Sequence, residues 1–181
     1  MKSLLLLLFP LCTMLNARSQ EITISGSKTN RPLEWSDFKG EPDRTSPYFA
    51  NTRWNIGYTM PSIKVTADSV PLTGFVVKLE LDSKRSWVKS GKETPGLLKH
   101  EQGHFDIGRL CQLELVSTLN KTYVVPAQLS TKVGGIFHAV MDKYHNMGLQ
   151  YDKETDHNLN AEAQEKWNRF LASELARLEP K

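Results

Sequence analysis

Alternation of apolar and polar positions marks the first half of the chain. In Phe75-Val76-Val77-Lys78-Leu79-Glu80-Leu81, Phe75, Val77, Leu79 and Leu81 fall on one face and Lys78 and Glu80 on the other, the period-two pattern of a half-buried strand. Ile22-Thr23-Ile24, Trp54 to Tyr58 and Ile63 to Thr66 read as further strands, with Pro32, Gly40-Glu41-Pro42 and Pro61 as loop punctuation. From Thr94 onward the period becomes helical. Thr94 caps a helix expected from about Pro95 to Asn120, with proline at the first helical position, where its missing N–H costs nothing. Leu97, Glu101, His104, Gly108, Cys111, Leu115 and Leu119 form one stripe of it, polar in front and apolar behind, so its front end should face a cavity. A second helix is expected from Pro126 to about Met147, interrupted or closely packed at Gly134-Gly135. A third is expected from Ala161 to Leu178, with Trp167, Phe170, Leu171 and Leu175 on its inner face. Tyr151 to Asn160 reads as a polar loop between them. Strands first and helices after predict an α+β fold without internal repeats.

The amino terminus follows a different rule. Lys2 precedes Leu4 to Phe9 and further apolar residues up to Leu15, and Ala17-Arg18-Ser19 suits cleavage before Gln20. Such a run is shorter than the roughly twenty residues of a membrane span. Residues 1–19 therefore read as a secretory signal peptide and 20–181 as a single domain acting outside the cytoplasm, secreted or periplasmic. Lipid anchoring at Cys12 is disfavoured because Leu11 fills the position that wants a small residue. Two of the three net positive charges, Lys2 and Arg18, lie in this leader, so the remainder is close to neutral and does not suggest a nucleic-acid partner. Only Cys111 remains after the leader; a lone thiol forms no internal disulfide, so stability must come from a core.

His100-Glu101-Gln102-Gly103-His104 is an H-E-x-x-H pattern on a predicted helix. Residues four apart share a face, so both imidazoles can point at one Zn²⁺ about 2.0–2.1 Å away, with Glu101 beside them as general base for an attacking water. A catalytic zinc normally takes three protein ligands. The H-E-x-x-H-x-x-G-x-x-H continuation is lacking, because Ile107 and Leu110 occupy its glycine and histidine positions. Candidates for the third ligand are His138, His145, Asp142, Asp152, Glu154 and His157. Glu114 and Cys111 lie about 15 and 10 Å farther along the helix axis than His104. Asp106 could orient a ligand from behind or stay solvated. Trp35, Asp37 and Phe38 form an aromatic and acidic cluster read as packing rather than substrate contact.

Leu33 to Gly40, His100 to Ile107 and Tyr151 to His157, followed by Gln164 and Trp167, together resemble the bacterial family of predicted secreted zinc-dependent proteases, domain of unknown function 922. The resemblance implies a zincin-like fold and a metal-dependent peptidase. In that family the late histidine is usually followed by glycine, where this chain has Asn158. His157 is taken as the third ligand, with Asp152 next and His145 or His138 behind, and Tyr151 as either a candidate donor to an oxyanion or an aromatic packed against the third helix. The expected cofactor is Zn²⁺ and the expected substrate a polypeptide or peptide, bound by strand addition to Phe75–Leu81 or a neighbouring strand, without a stable membrane anchor. The alternatives are a non-catalytic envelope scaffold or interaction protein retaining a zincin fold, and a hydrolase of non-protein amides such as cell-wall peptide crosslinks.

Overall fold

A computed structural model describes residues 20–61 and 68–179; the leader reading and the strand expected at Ile63 to Thr66 lie outside these residues. Among the described residues eight strands precede or separate three α-helices: β1 Gln20–Ile24, β2 Ser27–Lys28, β3 Ala50–Asn51, β4 Trp54–Thr59, β5 Val70–Pro71, β6 Val76–Leu81, β7 Trp87–Val88 and β8 Tyr123–Val124. The helices are α1 Pro95–Asn120, α2 Leu129–Thr155 and α3 Ala161–Leu178. The order is α+β, as the periodicities require. The main sheet runs β2-β1-β6-β4, parallel between β1 and β6 and antiparallel elsewhere, and two small ribbons, β3-β7 and β5-β8, flank it.

Period-two patterning sets the face of β6 as expected: Val77, Leu79 and Leu81 are buried, as is Phe75 just before it. That face packs on α1, which lies between the sheet and the α2/α3 pair. Because β6 is interior, with β1 and β4 on its two sides, it offers no edge for a substrate strand, which corrects the expectation for Phe75–Leu81 itself, while its neighbour β4 stands at the sheet's end. Gln112, fully buried on α1, donates through Nε2 to the carbonyls of Glu21 and Val77, each at 2.7 Å, and so joins the helix to the parallel β1–β6 pair. Its oxygen accepts from Arg109 at 2.6 Å, so both ends of the amide are paired and its burial is offset.

Helix α1 begins where its cap predicts: the Thr94 side chain accepts from Leu97 N, with Pro95 in the first turn. Helix α2 departs from expectation at both features. It passes through Gly134 and Gly135 unbroken, and a Cβ at either would meet nothing, so neither glycine serves close packing. It also continues past Met147 to Thr155, so Tyr151 and Asp152 lie on a helix instead of in a loop. Burial of Tyr151 and Thr155, both at 0% exposure, overrides the polar composition there. On α3, Trp167 and Leu171 are buried, but Phe170 is 42% exposed and rests edge-on against Trp167, outside the inner face assigned to it.

The cluster at the start of the chain packs as expected. Asp37 is buried, accepts two hydrogen bonds from Arg31 at 2.8 and 2.7 Å, one from Ser25 at 2.8 Å and one from Glu34 N at 2.9 Å. Phe38 is buried in the core beside Trp35. This loop is tied to α1 by Gln102, whose Oε1 accepts from Leu33 N at 2.7 Å and whose Nε2 donates to Asp106 at 2.7 Å. Asp106 is thus engaged by Gln102 instead of orienting a histidine. Among the described residues no helix is long and apolar enough to cross a membrane.

Candidate metal centre

Four side chains from three segments converge at the front of α1. His100 and His104 come from successive turns of that helix, Asp152 from the last turn of α2, and His157 from the turn that follows it. Oδ1 of Asp152 lies 3.2 Å from His100 Nε2, 2.8 Å from His104 Nε2 and 3.4 Å from His157 Nδ1. His100, Asp152 and His157 offer ligand atoms all within 4.8 Å of one another and could hold a metal ion. Around a tetrahedral ion with bonds of about 2.0–2.2 Å, neighbouring ligand atoms are about 3.3–3.5 Å apart. Asp152 Oδ1 stands near that edge from His100 and His157, so these three residues fit the group, whereas His104 falls outside the metal-capable set and at 2.8 Å is hydrogen-bonded to Asp152.

His157 reaches the site by an unusual backbone. Asp156, His157 and Asn158 all adopt left-handed conformations, with φ of 47°, 49° and 79°. The Asp156 and His157 amides both return to the Asp152 carbonyl, closing α2. Asparagine is the residue most tolerant of this region after glycine, which suits Asn158 to its φ of 79°. Tyr48 covers His157 from outside, with ring centroids 3.9 Å apart and planes inclined by 31°.

Electrostatics follow from these contacts. Burial opposes ionisation of Asp152, but hydrogen bonds from His100 and His104 and their charges outweigh it, holding the carboxyl well below the usual range. Burial likewise opposes charging His104, yet the Asp152 hydrogen bond and the Glu101 and Asp152 charges raise it above the ordinary histidine value. Cys111 is fully buried, and burial pushes its thiol up to about 12, as suits a packing residue rather than a ligand.

Glu101 is 3% exposed and faces the same open pocket, of about 380 Å³, as the four ligand candidates. Thr52 donates to its Oε2 at 2.6 Å, and Oε1 has no donor among the described residues. Residues 48–54 form the opposite wall, with Met141, Tyr144, His145 and Leu149 at one side. His145 lines the pocket but is not in the metal-capable group, and His138, Asp142 and Glu154 are exposed and outside it, Glu154 accepting from Trp167 Nε1 at 2.7 Å. Glu114 accepts from the Tyr144 hydroxyl at 2.8 Å.

Of the two readings of Tyr151, the structure shows packing against α3, edge-on to Trp167 with centroids 5.3 Å apart, and not a phenol free to serve an oxyanion. Its ring is fully buried and stacked on His100, centroids 4.7 Å apart at 14°, and its hydroxyl donates to the His100 carbonyl at 3.1 Å. The phenol nests against α1 at Gly103, where a Cβ would fall 2.7 Å from Tyr151 Cζ. Gly108 does the same for Trp54, whose ring would meet a Cβ at 2.8 Å. Gly103→Ala is accordingly expected to destabilise the fold by about 1–3 kcal/mol through overpacking. Alanine alone would favour a helix by about 1 kcal/mol, so a net loss in urea melts isolates the clash, and a net gain contradicts it. Thr52 and Tyr48 carried no sequence signal, since they reach the site only through tertiary pairing with α1 and the 156–158 turn.

One family model, described as a bacterial protein of unknown function (DUF922), matches residues 20–158. No curated protein and no solved structure matches the chain.

Proposed function

The chain belongs to the bacterial DUF922 family, and from its metal centre we propose that it is a zinc-dependent, zincin-like hydrolase of peptide bonds. The observation that carries this is Glu101, a buried carboxylate with one free oxygen, opening into the pocket of the metal ligands and fixed on its other side by Thr52. A purely structural ion needs no such base. Two imidazoles and a carboxylate, His100, His157 and Asp152, are a donor set that suits zinc and leaves a position open for water. The ion, when bound, supplies a Lewis acid that acidifies water and polarises a carbonyl. Glu101 Oε1 takes the proton of the attacking water and returns it to the leaving amine, while the Thr52 hydroxyl keeps the carboxylate aimed.

Substrate would lie along β3. This strand pairs with β7 on one side, and its other edge has no strand among the described residues and lies in the pocket wall. An extended peptide added there would pass the metal ligands with its main chain hydrogen-bonded, so peptide length and backbone, more than one side chain, should govern binding. The apolar leader pattern of residues 1–19 supports action outside the cytoplasm.

A structural metal site is the second reading, favoured by His104, which as a fourth protein ligand would close the coordination sphere. Zinc-loaded protein is expected to cleave an unstructured peptide library, to lose this activity with chelator, and to leave cell-wall peptide crosslinks intact. Cleavage of the crosslinks alone would move the substrate to non-protein amides, and inertness toward both would favour the structural site.

A further inference from the structure

We propose that Gln164, on α3, is a positioning residue that fixes the protonation pattern of the His100 ring, so that Nε2 presents its lone pair to the ion; this rests on the metal-centre reading above. The orientation of the Gln164 amide follows from neighbours that can act in only one sense. A main-chain carbonyl only accepts, so the Tyr151 hydroxyl, 3.1 Å from His100 O, donates to it. Having given its proton, the phenol accepts from Gln164 Nε2 at 2.7 Å. A second anchor agrees. The Glu165 carboxylate accepts from Asn168 Nδ2 at 3.0 Å, which turns the Asn168 oxygen toward Gln164 Nε2, also at 3.0 Å.

Both anchors leave the amide oxygen of Gln164 for His100 Nδ1, 2.9 Å away. An amide oxygen cannot donate, so Nδ1 carries the proton and, in the neutral ring, Nε2 carries the lone pair. In this neutral tautomer the lone pair faces Asp152 Oδ1, 3.2 Å away, acceptor toward acceptor. The hydrogen bond that His100 gives Asp152 therefore belongs to the doubly protonated ring, and in the neutral ring a cation shared between the two atoms takes its place. Tyr151, His100 and Gln164 are 0%, 2% and 6% exposed, so water does not compete for these bonds.

Two variants separate orientation from simple structural support. Gln164→Met removes the acceptor at nearly constant volume, whereas Gln164→Glu keeps an acceptor for Nδ1 and loses both amide donors. The expected zinc affinity falls about 10–100-fold in Gln164→Met and is retained or tightened in Gln164→Glu, with metal-free melts recording the stability of each. A merely structural role gives the reverse order, because Gln164→Glu buries a charge and strips two hydrogen bonds; that order, or an unchanged affinity in Gln164→Met, overturns the proposal.

Ring ¹⁵N spectra of the metal-free protein, recorded with the His100 ring in its neutral form, decide the tautomer without any metal. Nδ1 is expected to be protonated in the native chain, and Gln164→Met should move the proton to Nε2, where Asp152 accepts it. A native ring protonated at Nε2 overturns the proposal even if zinc binds. A native ring protonated at Nδ1 in a chain that takes up no zinc removes the metal-centre reading and leaves the role of Gln164 in setting the tautomer intact.

Discussion

Glu101→Gln is expected to lower peptide hydrolysis more than a hundredfold, about 3 kcal/mol of transition-state stabilisation, while zinc stays bound. The substitution is nearly isosteric. The Thr52 hydroxyl, which donates to Glu101 Oε2 at 2.6 Å, can donate equally to an amide oxygen, so the side chain keeps its place and the fold its burial. What disappears is the ability to take a proton from water. The loss should therefore fall on kcat and leave KM nearly unchanged. A rate equal to the native one would remove Glu101 as general base, and with it the distinction between a catalytic and a structural ion.

Zinc should also hold the fold together. The four ligand candidates join the start of α1, the end of α2 and the left-handed turn at 156–158, segments that are otherwise linked here by side-chain contacts. An ion that binds only the folded chain stabilises it by about 4 kcal/mol at a thousandfold excess over its dissociation constant. For a chain of this length that is a rise in melting temperature of about 8–16 °C. Adding zinc to chelator-treated protein should produce that rise, and His157→Ala, which removes a member of the metal-capable group, should abolish most of it. His138→Ala, exposed and outside the metal-capable group, should leave it intact. A melting temperature indifferent to zinc would contradict the convergence of these side chains on one ion.

Local rules carried much of this structure. Thr94-Pro95 announces the start of α1 to the residue, since cap and proline act within one turn, and the alternation from Phe75 to Leu81 names the buried face of β6. H-E-x-x-H needs only helical spacing to put His100 and His104 on one face of α1. The misreadings lie where tertiary burial decides. The composition of Tyr151 to His157 looks like a loop, but burying Tyr151 against Gly103 extends α2 and converts a supposed oxyanion donor into a support for His100. Gln164 is an ordinary amide on an amphipathic helix until α3 is docked beside His100. Thr52 has no local reason to meet Glu101, from which it is far removed along the chain. Neither contact has a period or a spacing by which one sequence could show it.

The metal content of the purified chain after zinc reconstitution, measured by elemental analysis beside a His100→Ala/His104→Ala double variant, tests the central claim most directly. About one zinc per native chain, absent from a folded double variant, is the expected result. A folded native chain that retains no zinc would contradict it.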